Sequence, residues 1–242
     1  MRQLALAMVV RAVSYYLRGA LAESFAVYDE VRAIGVQTGD LQLQVWAAHA
    51  QGVALLRWGR TDELSALLEV AAPMLERTAE TASIIVDSGL RAAVCRIRED
   101  EAGALAATAR GLDVLEKSSS TIFSLREGVS SLVETALWLW RRRGGVHRPL
   151  AAKATRTMAR FAAACPSAAP RAAYHRGAFL RQDGRPAQAR RVLREGLDAA
   201  VASAQAYDEG LIREELRQLG DGEPSIVGEV VERFRKLTAH NP

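Results

Sequence analysis

The chain has 242 residues, a net charge of +4 and 49% hydrophobic residues, but only 6% aromatics. That is enough apolar material for one or two packed domains, and the balance argues against a disordered or fibrous chain. No run of eighteen apolar residues occurs, which excludes a hydrophobic helical span, and two cysteines seventy positions apart, Cys95 and Cys165, do not make a disulfide framework or a metal knuckle.

Taken in chain order, the opening stretch MRQLALAMVVRAVSYYL has the charge and apolar run of a leader. Arg11 interrupts it, however, and the pattern continues as an amphipathic helix, so it reads as a mature element. From there the chain repeats one phrase. An apolar helix ends in Arg and Gly, a short polar turn follows, and a second helix opens. The phrase occurs around Gly19, Gly59, Gly144 with Gly145, and Gly184, and once without glycine, where Glu99 holds the turn. The turns fall near 19, 59, 99, 144 and 184, a period of about forty residues that signals stacked helical hairpins. Each glycine suits a left-handed helix C-cap. Asp62 and Glu63 then suit the first turn of the second helix, as does Pro186 in its own unit. Ser24, Leu64, Ala104 and Ala189 fall where the two helices of a hairpin cross. Breaks are expected near 36–40, 77–81, 118–120, 165–170 and 221–224. The segment SIVGEVVERFRKLTAH, with Ile226, Val227, Val230, Val231, Phe234 and Leu237 on one helical face, is expected to form a capping helix over 225–239. The fold expected is all-α, a single domain over 1–242: a right-handed α-solenoid of about five to six hairpins with a C-terminal capping helix. Both cysteines read as reduced, mostly buried thiols in a cytoplasm, with Cys165, just before Pro166 near a helix end, partly exposed.

Little in the chain suggests catalysis. None of the four histidines has a second ligand at helical spacing, no strained Gly-x-Ser-x-Gly turn is present, and no phosphate-cradling glycine loop occurs. No metal, cofactor or catalytic residue is therefore expected. Glu99 with Asp100 and Glu101 reads as solvated at a turn, and Glu214 with Glu215 as the polar side of a helix. Trp138 and Trp140 are two residues apart, so one faces the core and the other a groove or solvent.

Charge is the unusual feature. Fourteen basic residues lie between Arg141 and Arg194 against one acid, Asp183, so this block carries +13 and the rest of the chain −9. Such a block attracts anionic surfaces at low salt. Arg141, Arg143, Arg148, Lys153, Arg156 and Arg160 form its first half. A second pattern crosses the repeats: Arg18, Arg57, Arg96, Arg142 and Arg181 each stand one to three residues before a turn. A cation there is favourable by about 0.3–1 kcal/mol through the helix dipole alone. Stacked hairpins would also align these guanidinium groups along a groove suited to carboxylate or phosphate. Trp46 and His49, on the same helix face, are candidate groove contacts beside Arg57, Arg96, Arg142 and Arg181.

The spacing Gly52, Leu55, Gly59, Leu68, Ala71 resembles the tetratricopeptide repeat, as does Gly177, Leu180, Gly184, Ala189, Leu193, Gly196. The longer strings AIGVQTGDLQLQVWAAHAQGVALLRWGRTDELSALLE from Ala33, REDEAGALAATARGLDVLEKSSSTIFSLREGVSSLVETALWLW from Arg98, and ARFAAACPSAAPRAAYHRGAFLRQDGRPAQARRVLREGLDAA from Ala159 are similar to one kind of bacterial region. It is the C-terminal helical-repeat part of signalling proteins that join a class III adenylate/guanylate cyclase or kinase domain to an AAA-type (STAND) ATPase. The resemblance implies a sensor or scaffold arm without catalysis, acting on an ATPase or cyclase module in cis. An acidic peptide or protein surface is the expected partner, no membrane is expected, and the compartment is expected to be cytoplasmic. Two alternatives stay open: a small-ligand sensor inside the superhelix, and nucleic-acid binding through the 141–194 block. The second is disfavoured by the acidic remainder and the lack of a recognition-helix motif.

Overall fold

The computed structural model describes residues 1–118 and 122–220, and among them every regular element is helical. The expected capping helix over 225–239 and the break at 221–224 lie outside the described residues. The chain divides into two compact units, Met1–Ser120 and Thr121–Pro242.

The first unit contains α1 (Arg2–Leu17), α2 (Leu21–Thr38), α3 (Leu41–Arg57), α4 (Thr61–Thr78), α5 (Thr81–Ile97) and α6 (Glu101–Glu116). Their ends are set by local chemistry. Asp40 caps α3 by accepting from the Leu43 N–H at 3.1 Å, and Asp100 caps α6 by accepting from Gly103 at 2.9 Å. Each helix packs on its chain neighbour, and α3 also meets α5. One cluster joins Ala5, Met8 and Ala12 of α1 to Val27, Tyr28 and Val31 of α2 and to Leu43 and Ala47 of α3. None of these helices can bury its apolar stripe alone, so the contacts between neighbours supply the core.

The second unit contains α7 (Leu125–Arg143), α8 (Arg148–Ala164), α9 (Ala169–Gln182), α10 (Pro186–Ala202) and α11 (Ala206–Gln218), with short 3-10 helices at Gly144–His147 and Pro166–Ala168. Pro186 opens α10, where its missing N–H costs no hydrogen bond. Helix α7 meets α8 and α9, and α9 meets α10 and α11. Helices α9 and α10 approach closely at Gly177, where a Cβ would stand 2.4 Å from the side chain of Leu193, and at Gly196, where it would stand 2.4 Å from that of Ala173; only glycine lets the two helices come that near.

The turns share one hydrogen-bond pattern. The residue after the turn position donates its N–H five residues back: Ala20 to Tyr15 at 2.9 Å, Arg60 to Leu55 at 2.9 Å, Asp100 to Cys95 at 2.8 Å, and Arg185 to Leu180 at 2.9 Å. This is the Schellman closure, and it requires a left-handed residue. Gly59 and Gly184 supply it with φ of 73° each, and Glu99 adopts it at 58° despite its side chain. The turn at 144 is built differently. Gly144 has φ 62° and ψ −147°, and the chain runs through a 3-10 helix before α8, which absorbs the five extra residues of that step. Ser24, Leu64, Ala104 and Ala189 are all buried, as their crossing positions require. Cys165, expected to be partly exposed, is buried at the end of α8, and Cys95 is half-buried. Pro166 opens a 3-10 turn after α8, and the Cys165 thiol lies 3.4 Å from the Ser167 hydroxyl of that turn.

Candidate functional site

In the second unit the basic block separates into three kinds of residue. Arg171 is fully buried. Arg148 and Arg181 are tied to acids, and Arg190 donates to the Leu219 carbonyl at 2.6 Å. The rest lie at the surface. On α8, Arg156 and Arg160 are exposed with Lys153 half-buried beside them, and the spacing of three and four residues puts them on one face. On α10, Arg191 and Arg194 are exposed, and Arg141, Arg142 and Arg143 project from the end of α7. Asp183, the block's one acid, is already taken: Arg148 holds it with two hydrogen bonds of 2.7 and 2.9 Å. That clamp holds the Asp183 carboxyl below the ordinary carboxylate range. Glu195 and Asp198 lie exposed on α10, one turn beyond Arg191 and Arg194.

Aromatic rings shape the α7 end of this surface. Trp140 is buried and meets Phe179 at 5.2 Å between ring centroids. Arg148 lies over both rings, and Arg142 lies 5.4 Å above the half-buried Trp138. The two tryptophans thus divide as their spacing requires, one in the core and one under a surface cation.

The six groove candidates fall in both units and in different environments. Trp46 donates its indole N–H to Glu80 at 2.7 Å. His49 is buried, with Nε2 3.8 Å from the Asp87 carboxylate, which Arg91 also contacts at 3.0 Å. Burial pushes the Asp87 carboxyl up, but His49 and Arg91 outweigh it and hold the group below its ordinary value. Arg57 and Arg96 are half-buried, Arg142 is exposed, and Arg181 pairs with Glu215. Glu215, expected with Glu214 on the polar side of a helix, is itself buried. Glu214 alone lies near solvent, where it pairs with Arg217.

The residues that sequence reasoning missed form a buried ionic network joining α7, α9 and α11. Asp208 accepts from Arg126 and from Arg171 Nε. Arg171 Nη1 also donates to Glu127 at 3.1 Å and to Ser130 at 2.9 Å. Arg126 reaches Gln205 at 2.8 Å, and Ser130 meets His175 Nε2 at 2.9 Å. Burial pushes His175 down to about 4, although Glu134 nearby favours its charged form. Two guanidinium groups face two carboxylates, so the cluster is electrically balanced where dielectric screening is weakest. It holds three helices together. Ser130 and His175 have no access to solvent, so this pair does not present a nucleophile to a substrate.

Among the described residues no three His, Cys, Asp or Glu side chains group as a metal site, and no helix is long and apolar enough to cross a membrane. Compared with known protein families, curated proteins and solved structures, the chain matches none.

Proposed function

We propose that this chain is a non-catalytic interaction module: a right-handed α-solenoid of TPR-like hairpins that binds an acidic polypeptide and, through it, regulates a signalling ATPase or cyclase. One observation carries the reading. Arg156 and Arg160 of α8 and Arg191 and Arg194 of α10 stand exposed in a block that carries a net charge of +13. Such a surface lowers its free energy by meeting carboxylates from outside, and Arg offers them paired N–H donors. The recurring Schellman turns at a forty-residue step, and the contacts of α3 with α5 and of α9 with α11, support the repeat architecture. Among the proposed groove residues, Arg142 sits nearest this surface in sequence and is exposed. Trp46, His49 and Arg181 meet Glu80, Asp87 and Glu215 within the chain, and Arg57 and Arg96 are half-buried.

The test is charge reversal on α8. A fluorescein-labelled 20-residue Glu/Asp peptide is titrated with the wild type and with the Lys153→Glu, Arg156→Glu, Arg160→Glu variant, by anisotropy at 0.1 M salt. The variant should bind at least tenfold more weakly with unchanged helicity. Equal binding by both proteins would remove the surface from the account.

A further inference from the structure

Of the five repeat turns, the one between α7 and α8 is the least closed. Every other described α-helix ends with its C-cap N–H on a backbone carbonyl, whereas the Gly144 N–H at the end of α7 closes onto none. Arg141 to Val146 are six consecutive exposed residues, the longest such run among the described residues, and Val146 is 77% exposed. A Cβ at Gly144 or at Gly145 would meet nothing within 4 Å. Both ends of the run are held. Trp140 is buried against Phe179, and Arg148 grips Asp183 with two hydrogen bonds. Residues 141–147 lie between these anchors. Opening the last turn of α7 uncovers no apolar core, since Arg141, Arg142 and Arg143 are already in solvent, so it belongs to the low-cost end of local unfolding.

We infer that this turn is a cleavage site for a trypsin-like serine endopeptidase, with Arg143–Gly144 as the scissile bond. Such an enzyme seats an arginine in a pocket floored by a carboxylate, which the guanidinium meets with paired N–H donors. It also needs several residues on each side of the bond drawn out in extended form, and exposed tips of small and polar residues are where chains supply that. Gly144 and Gly145 put no side chain on the leaving side. Hydrolysis breaks the C–N bond between Arg143 and Gly144. The hydroxyl of water goes to the Arg143 carbonyl carbon and a proton to the Gly144 nitrogen, leaving a carboxylate and an ammonium group. The cut severs α7 from α8 in sequence but does not free it. Arg126 of α7 stays bonded to Asp208 of α11, and Glu127 and Ser130 of α7 to Arg171 of α9. The product is a nicked chain held by its buried ionic network. The inference rests on the turn and is independent of the basic surface proposed above.

The probe is dilute trypsin acting on the native full chain, followed by mass spectrometry. Cleavage after Arg143 should run at least tenfold faster than cleavage after Arg18, Arg60 or Arg98, which are exposed arginines at turns closed by backbone hydrogen bonds. The Arg141→Gln, Arg142→Gln, Arg143→Gln variant should lose this cut and keep its helicity. On gel filtration the nicked wild type should elute with the intact chain, and its two pieces should separate only in denaturant. Cutting at Arg18, Arg60 or Arg98 as fast as at Arg143 overturns the inference. So does a cut after Arg141 or Arg142 that leaves Arg143–Gly144 intact, and so does separation of the pieces without denaturant.

Discussion

Replacing Asp208 by Asn probes the buried network where it is most concentrated. Asp208 is 1% exposed and Arg171 fully buried, so neither guanidinium that meets Asp208 can turn to water for a substitute. The amide keeps one acceptor oxygen but turns an N–H₂ group toward an arginine, and the site is left with Arg126 and Arg171 against Glu127 alone. Breaking a buried pair in this way costs about 3–5 kcal/mol. For a unit of this size, that lowers the melting midpoint by roughly 12–20 °C. The assay is thermal unfolding followed by circular dichroism, with Asp198→Asn as an exposed control on α10. A midpoint within about 3 °C of the wild type would refute the claim that this network holds α7, α9 and α11 together, since a solvated pair contributes at most about 1 kcal/mol. Replacing Arg126, Glu127, Arg171 and Asp208 together by apolar residues of similar volume should recover most of the loss, because no charge is then left unpaired.

Three further outcomes follow from the same structure. His175 is held neutral, its pKa pushed from 6.5 to about 4 by burial. The stability it contributes is complete above pH 6.5 and is lost as pH falls toward 4, by up to about 3 kcal/mol at 1.36 kcal/mol per unit. Denaturant midpoints measured across that window should fall for the wild type and flatten for His175→Gln. Glu99→Gly relieves a left-handed side chain and should raise stability by about 0.5–1 kcal/mol in urea titration; a decrease would mean the Glu99 side chain makes contacts that outweigh the strain. Gly177→Ala forces a methyl to within 2.4 Å of Leu193 and should cost about 1–3 kcal/mol, which chemical denaturation would read directly.

Four of the five repeat turns were legible because each of the four needs a left-handed residue at a fixed step, and glycine marks three of those four. Glu99 was found by register alone, and the structure gives it the same φ sign and the same hydrogen bonds as the glycines. The departure at 144 was visible only as a longer step; that it is a 3-10 passage depends on the ψ of Gly144, which no residue type dictates. The ionic network was not legible. Charged side chains default to the surface, and Arg126 and Asp208 are 82 positions apart with nothing in the sequence to pair them. Glu215 misled for the same reason, since its partner Arg181 lies 34 positions away on another helix. The basic block was legible as a total and not as a surface, because burial of Arg171 and the internal pairing of Arg148 and Arg181 depend on the packing of α7 to α11.

The central claim is that the surface cations of α8 and α10 recognise an acidic polypeptide. It is tested most directly by competition: the labelled Glu/Asp peptide bound to the wild-type chain, displaced by unlabelled peptide or by single-stranded DNA of equal charge, at 0.15 M salt. The account predicts displacement by the peptide at concentrations at least tenfold below those needed for the DNA. Displacement by DNA at equal or lower concentration would contradict it and make this a nucleic-acid surface.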